Sequence, residues 1–431
     1  MRHARVGGRA RRGIVLVLVL WVVVLMSLIG YSLLLQVSVD ASVTTSRKRQ
    51  LEAEMLARAG VARAIVDLRN DLLFDYANEA KVFDGEGDVW ARPEEGKDRV
   101  SLANDRNAGY YSVRVIDEQG LINLNFLTRS SLPLVAKILE ELGMEEEDAK
   151  IVAAAILDWR DPDYIPSLEN AASNDEGIAY AVIKAEDEQA GVADVDEVEP
   201  LVFRNEDYLT VDELLEVFGV SPAIFFGPHT PEAEYYSQFF DAPAGERFLS
   251  QLEEPLTYDT GRSYGLRDYF TVHGTGQLNI NSIPFHVLVA MGKMAGGDGE
   301  AFAERVLKNR RGGKDRDIDN SGAYKDGTDL ARDVEVAGVL NAVQGMGLPI
   351  DVKSTTFRIV STGVVGDVRS TLEVLVYREM RRMVRDETFE ARERAAERRE
   401  RNSGRYERRQ DRADESIVRY PYVRVIQTYK R

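Results

Sequence analysis

The chain has 431 residues, enough for about two or three domains at roughly 150 residues each. Hydrophobic residues make up 44% and charged residues 29%, which excludes a wholly disordered or low-complexity protein. Lys and Arg total 55 against 72 Asp and Glu, and a formal charge of -17 works against nucleic acid as a partner. The absence of cysteine excludes a disulfide framework, thiolate zinc sites and Cys nucleophiles.

The first twelve residues carry Arg2, Arg5, Arg9, Arg11 and Arg12 and no acid, whereas Ile14 to Val39 carry no charge at all. As a helix, the 22 residues from Ile14 to Leu35 would span about 33 Å, enough to cross a hydrocarbon core. The basic flank predicts a cytoplasmic N-terminus with the rest outside. A cleavable signal peptide is the competing reading, but its apolar core should be shorter and end at a small-x-small site. Leu51, Met55, Ala59, Ala62, Ile65, Leu68 and Leu72 then recur mostly three or four apart, predicting that the same helix continues as an amphipathic one.

Further on, Tyr110 to Ile116, Phe357 to Val365, Arg369 to Tyr377 and Ile417 to Gln427 alternate and read as strands. Between them lies a helical region. It holds Leu132 to Leu142 and Glu147 to Trp159 joined at Gly143, then Val211 to Phe218 capped by Thr210 with Glu213 completing a capping box. A second pair follows, Ile283 to Met294 and Glu300 to Arg310, across Gly296 and Gly297. Glu186 to Asp207, with nine acids and one Arg, reads as a solvated loop or a calcium-attracting rim. Arg378 to Arg412, with thirteen Arg and nine acids, reads as an exposed, partly disordered helix.

Four chemical readings are open. Of four His, His3 lies in the basic leader, and His229, His273 and His286 fall in no metal or triad spacing and read as structural or surface residues. Gly261-Arg-Ser263-Tyr-Gly265 formally matches a nucleophile elbow, which requires a strand before it and a helix after it; Pro255 and a β-like Tyr269 to Val272 favour a glycine-rich turn. In Asp158-Trp-Arg160-Asp161-Pro-Asp163, three carboxylates follow a helix, as a helix stop with Arg160 paired to an acid or as part of a cation site. Asp317, Asp319 and Ser321, followed by Gly322, fit the opening of an EF-hand-like calcium loop; Thr328 stands at position twelve, with Asp326 and Asp329 nearby as further ligands. A plain acidic turn is the alternative.

A basic leader ending in Arg11-Arg12-Gly13 and followed at once by an apolar helix resembles a type IV pilin or pseudopilin. Leu18 stands at mature position five, where most such chains have Glu, and this departure is shared by the minor pseudopilin K of the type II secretion system (GspK family). The body motifs GLINLN (120–125), AILDWRDPD (155–163), LTVDELLEVFGV (209–220) and GQLNINSIP (276–284) follow that family's order. The resemblance implies an α+β fold: a transmembrane helix leading into a pseudopilin helix-plus-antiparallel-sheet domain, with a large inserted paired-helix, SAM-like domain. The expected divisions are 1–13 as a cleaved leader, 14–39 as the span, 40–127 as pseudopilin helix and first strands, 128–350 as the insert, and 351–431 as returning strands interrupted by a charged insertion at 379–413. It further implies cleavage between Gly13 and Ile14 by prepilin peptidase, methylation, and a single-pass place in the bacterial inner membrane with a periplasmic body. Calcium is implied in that body, without assigned ligands. The implied partners are minor pseudopilins I and J, with H a further candidate, and inner-membrane lipid. The implied role is non-enzymatic: a tip subunit that nucleates the pseudopilus and helps export folded proteins. The alternatives are a membrane-anchored periplasmic serine hydrolase using Ser263, and a DNA-uptake or adhesion pilin.

Overall fold

The computed structural model describes residues 10–77, 83–91, 100–101, 109–189, 198–238, 263–311, 323–384 and 417–430. Its first element, α1 (Ala10–Ala77), is one uninterrupted helix that joins the apolar run to the amphipathic one. Nothing in 14–77 breaks it, since the run holds no Pro and only two Gly, Gly30 and Gly60. Two short strands and a longer one follow as β1 (Val100–Ser101), β2 (Tyr110–Asp117) and β3 (Ile122–Asn123). The next helices are α2 (Leu132–Glu141), α3 (Glu146–Asp158), α4 (Glu176–Gln189), α5 (Pro222–Phe226) and α6 (Pro231–Tyr236). After β4 (Phe270–Thr271) and β5 (Leu278–Asn279) come α7 (Phe285–Met294), α8 (Gly299–Arg311), α9 (Gly327–Arg332) and α10 (Val334–Gly345). The described residues end with β6 (Ile350–Asp351), β7 (Thr356–Val365), β8 (Val368–Val384) and β9 (Ile417–Lys430).

The main sheet is antiparallel, in the order β1-β2-β7-β8-β9. One face of α1 covers it: Ala57, Ala64 and Leu68 share a core with Phe357, Ile359, Val374 and Val376. The helix can approach this closely because Gly363 faces it, where a Cβ would run into the backbone of Ala53 and Ala57. Since β2 and β7 are neighbours, residues 118–355 form one excursion out of the sheet.

That excursion contains the same local plan twice. In GLINLN, Asn123 accepts from the Asn125 amide, and the Asn125 side chain clamps the Tyr208 backbone at both its N–H (2.8 Å) and C=O (2.9 Å). In GQLNINSIP, Asn279 accepts from the Asn281 amide, and Asn281 clamps the Tyr324 backbone at 2.9 Å on both sides. Each copy feeds a helix pair turned at a glycine with positive φ, Gly143 (97°) or Gly296 (79°), as a tight helical connection requires. Each pair ends in an Arg that donates to backbone carbonyls of its own loop: Arg160 to Asn125 and Leu127, Arg310 to Ile280 and Ile283. The two first helices, α2 and α7, pack on each other within one large core.

Several expectations are corrected. Arg160 serves carbonyls rather than an acid, because the loop needs its acceptors satisfied more than the surface needs an ion pair. The Thr210/Glu213 capping box is present, but it opens a short 3-10 turn (Val211–Glu216) rather than a longer helix. Residues 186–189 belong to α4 instead of a loop, while 190–197 lie outside the described residues. Residues 378–384 extend β8, and Arg378 is 1% exposed instead of lying on a solvated helix. The remainder of that charged stretch, 385–412, lies outside the described residues.

Arg378 donates to the Leu68 carbonyl (3.0 Å) and to Asp71 (2.9 Å), pairs with Asp84, and stacks 4.6 Å over Phe357. Burial disfavours its charged form and Asp71 opposes that effect. Arg378→Met leaves Asp71 and Asp84 buried without their cation, so the urea midpoint of the full chain in detergent should fall by the equivalent of about 3–5 kcal/mol. A loss under about 1 kcal/mol would show that the pair does not hold the fold together.

Candidate functional site

Two regions expose chemistry beyond packing. The first is α1. Its apolar segment is bare, with Leu18 60% exposed, and it is long and apolar enough to cross a membrane. Gly13 and Ile14 sit in the first turns of the helix. Above the span, the side facing away from the sheet carries an exposed stripe of Leu51, Met55, Val66 and Leu73. Their spacings keep them on one helical side, opposite the buried Ala53, Ala57, Ala64 and Leu68.

The second region is a group of carboxylates between α3 and α4. Asp158 ends α3; its oxygens accept from the Ser167 amide and, at 2.8 Å, from the Tyr180 hydroxyl. Asp161 and Asp163 follow, with Asp163 accepting from the Ile165 amide at 2.7 Å. The chain then returns so that the Glu176 amide donates to the Tyr164 carbonyl at 3.0 Å, bringing the start of α4 back to this loop. Asn205, at φ 56°, closes the other side by donating to the carbonyls of Trp159 and Asp163. Glu176 is 2% exposed, and neither of its carboxylate oxygens meets a donor at hydrogen-bonding distance.

Burial pushes the Glu176 carboxyl up to about 7, repulsion from Asp158, Asp161 and Asp163 adds to the rise, and the neighbouring Asn205 side chain offsets part of it. Burial also raises Asp158 and Asp161, the latter further through Asp163. A buried carboxylate repelled by three nearby acids is a costly arrangement for the fold, although the oxygens of these four residues do not converge as closely as those of Asp71, Asp84 and Asp88. Asp158, Asp161 and Asp163 were visible as a cluster in the sequence. Glu176 was not, because only the folding of α4 onto the loop brings it there.

The other expected sites fare differently. Asp317, Asp319 and Ser321 lie outside the described residues. Asp326 caps α9 by accepting from the Thr328 (2.9 Å) and Asp329 (3.0 Å) amides, and Asp329 binds Arg332 (2.8 Å) and the Lys325 amide, so both carboxylates are already engaged. Gly261 lies outside the described residues, and the buried Ser263 hydroxyl packs where a Cβ on Gly227 would stand. His286 does not serve Ser263; it pairs with the Tyr269 hydroxyl, and burial lowers its pKa to about 4. His229 is exposed at φ 58°, and His273 is half-buried. Asp71, Asp84 and Asp88 converge closely enough for a metal, but the Arg378 guanidinium already binds two of them. The helix hairpins open α3 with Glu146, Glu147 and Asp148, which disfavours phosphate at that helix start.

No family model matches the chain. In sequence it resembles Type II secretion system protein K of Pseudomonas aeruginosa, with 28% identity over 181 residues, 40% of this chain and 52% of that protein. The chain thus matches about half the length of this curated relative. Among solved structures, a chain of the GspK-GspI-GspJ complex from the enterotoxigenic Escherichia coli type 2 secretion system aligns with a TM-score of 0.47 and 14% identity, covering 78% of this chain and 94% of that one.

Glu176 supplies a signed pH test. Its folded pKa of about 7 lies above the ordinary 4.5, so its contribution to stability is full below about pH 4.5 and is lost as pH rises through 7. Without metal, Glu176→Gln should therefore stabilise the chain by about 1–3 kcal/mol at pH 8 and by almost nothing at pH 4. A melting temperature that is unchanged at pH 8 would remove the case for a strained carboxylate.

Proposed function

We propose that the chain is a K-type minor pseudopilin of a type II secretion system, a structural subunit with no enzymatic role. The observation that carries this reading is the identity to protein K, in a chain whose single helix α1 is apolar over one half and packed on a sheet over the other. The chain would sit in the bacterial inner membrane by one pass, N-terminus cytoplasmic and body periplasmic, in keeping with the arginines before the span. Prepilin peptidase would cut after Gly13, leaving Ile14 as the mature N-terminus, open to methylation.

Leu18 fits a terminal position in the fibre. A Glu there would cost free energy in lipid unless paired, and a subunit with nothing above it has no neighbouring amino terminus to pair with. The large excursion of residues 118–355 is also hard to repeat within a tightly packed shaft. A tip subunit of this kind would prime the pseudopilus and assist the export of folded proteins. Its partners would be minor pseudopilins I and J, with H a further candidate, and the exposed stripe of α1 is the surface best suited to their helices.

Calcium belongs to the same proposal. Asp158, Asp161, Asp163 and Glu176 would have to draw closer together to hold the ion, whose charge would offset the mutual repulsion that raises Glu176. Asp317, Asp319 and Ser321 remain candidates for another such loop, with Asp326 and Asp329 at its border.

Four outcomes are expected. N-terminal sequencing of the membrane form starts at Ile14; a start beyond Leu35 would mean signal-peptide cleavage and sink the pseudopilin reading. The chain co-purifies with I and J, and Met55→Arg with Val66→Arg weakens that association at least tenfold without unfolding the chain, as an anchor residue worth about 1.4 kcal/mol or more would. Millimolar calcium raises the melting temperature by mass action, and Glu176→Gln with Asp161→Asn abolishes the rise; an equal rise in that variant would place the ion elsewhere. Mass spectrometry of sheared fibres finds this chain far below the major subunit, whereas near-equal amounts would contradict the tip position.

A further inference from the structure

We infer that a basic band at the foot of the soluble body binds anionic phospholipid headgroups on the same side of the bilayer. The inference rests on the membrane reading of α1. Its observations are positions and charges. After Val39, the last residue of the uncharged run, α1 passes through Asp40 and six small or uncharged residues, 41–46, before reaching Arg47, Lys48 and Arg49. At 1.5 Å per residue, Arg47 stands about 12 Å beyond Val39. The headgroup layer occupies roughly 5–8 Å on each side of the hydrocarbon core, and long basic side chains bend towards it.

The sheet brings a fourth charge to the same level. The turn between β7 and β8 lies against α1 here, with Asp367 bound to Arg49 at 3.1 Å, and Arg369, the second residue of β8, is exposed two residues later. The acids of this band are largely used inside it. Glu52 pairs with Lys48, Asp367 with Arg49, and Asp40 lies about two turns below Arg47. Arg47 and Arg369 have no ion pair among the described residues. In a chain of net charge -17, this places uncommitted positive charge where the membrane surface begins. Phosphate-bearing anionic lipids complement it, whereas the acidic remainder of the body would be repelled from the same surface. The contact would hold the body upright on the bilayer and would have to break when the subunit is drawn out.

The test uses the full chain reconstituted in phosphatidylcholine vesicles containing 30% phosphatidylglycerol on the order of surface charge in natural membranes. Spin-labelled phosphatidylglycerol and phosphatidylcholine report the fraction of each lipid immobilised by the protein. The expected result is a preference for phosphatidylglycerol that falls roughly two- to fivefold in Arg47→Gln with Arg369→Gln, and that molar salt removes in the unaltered chain. Lys150→Gln, which neutralises an exposed charge on α3, should leave the preference unchanged. Equal preference in the unaltered chain and the double variant would overturn the inference while leaving the membrane span standing. Failure of the chain to float with the vesicles would overturn both.

Discussion

Arg378 is a buried cation, and the molecule is arranged so that it is never alone. Asp71 comes to it from α1, Asp84 from the segment after that helix, and the Phe357 ring from β7. A guanidinium cannot be deprotonated to escape burial, so the native state must supply acceptors from each element that encloses it. The same residues continue into the helical excursion. Asp84 accepts from the Ser354 amide at 2.7 Å, its carbonyl accepts from Asn279, and its amide donates to the Val352 carbonyl. Asp117, at the end of β2, gathers Asn279, Ser282 and Ser354 around one carboxylate, although burial raises its pKa. Helix, sheet and excursion therefore share one polar junction, and a partly satisfied network there would cost more than an apolar joint.

This junction explains how a long excursion can interrupt a sheet without loosening it. The chain leaves after Asp117 and returns before Thr356, on strands that are direct neighbours, Asp117 pairing with Phe357. Within the excursion, the repeated asparagine clamp solves one problem twice. A loop that feeds a helix pair must satisfy its backbone groups away from water, and a side-chain amide presents a donor and an acceptor side by side. Arg160 and Arg310 complete each unit by closing the carbonyls that the asparagines leave. The first unit then places Asp158, Asp161 and Asp163 immediately beyond its arginine. A rigid helix end thus delivers the carboxylates, and the fold tolerates the strained Glu176 opposite them.

The two faces of α1 differ in what they contribute to the fold. Alanines and leucines turned towards the sheet allow close packing, whereas Leu51, Met55, Val66 and Leu73 turned outward contribute little to the monomer. Exposed apolar residues in a regular row are more informative than scattered ones, since they mark a surface that a further element can cover.

Much of this was readable in advance because it depends on local periodicity. The uncharged run, the amphipathic continuation, the four long strands and the two helix pairs follow from spacing alone, and Thr210 with Glu213 correctly marked a cap. The order of motifs such as GLINLN and GQLNINSIP pointed to the type II secretion relative, although their roles as paired clamps on Tyr208 and Tyr324 did not show. Tertiary structure decided what charge patterns could not. Arg378 opens a stretch that looks solvated by composition, yet it is buried, because Asp71 and Asp84, far away in sequence, neutralise it. Glu176 looks like an ordinary acid at the start of a helix, yet it is buried and faces other acids, because α4 folds back on the loop after α3. Periodicity reports which side of an element is buried; the fate of a charge depends on which other charges the fold brings within a few ångströms.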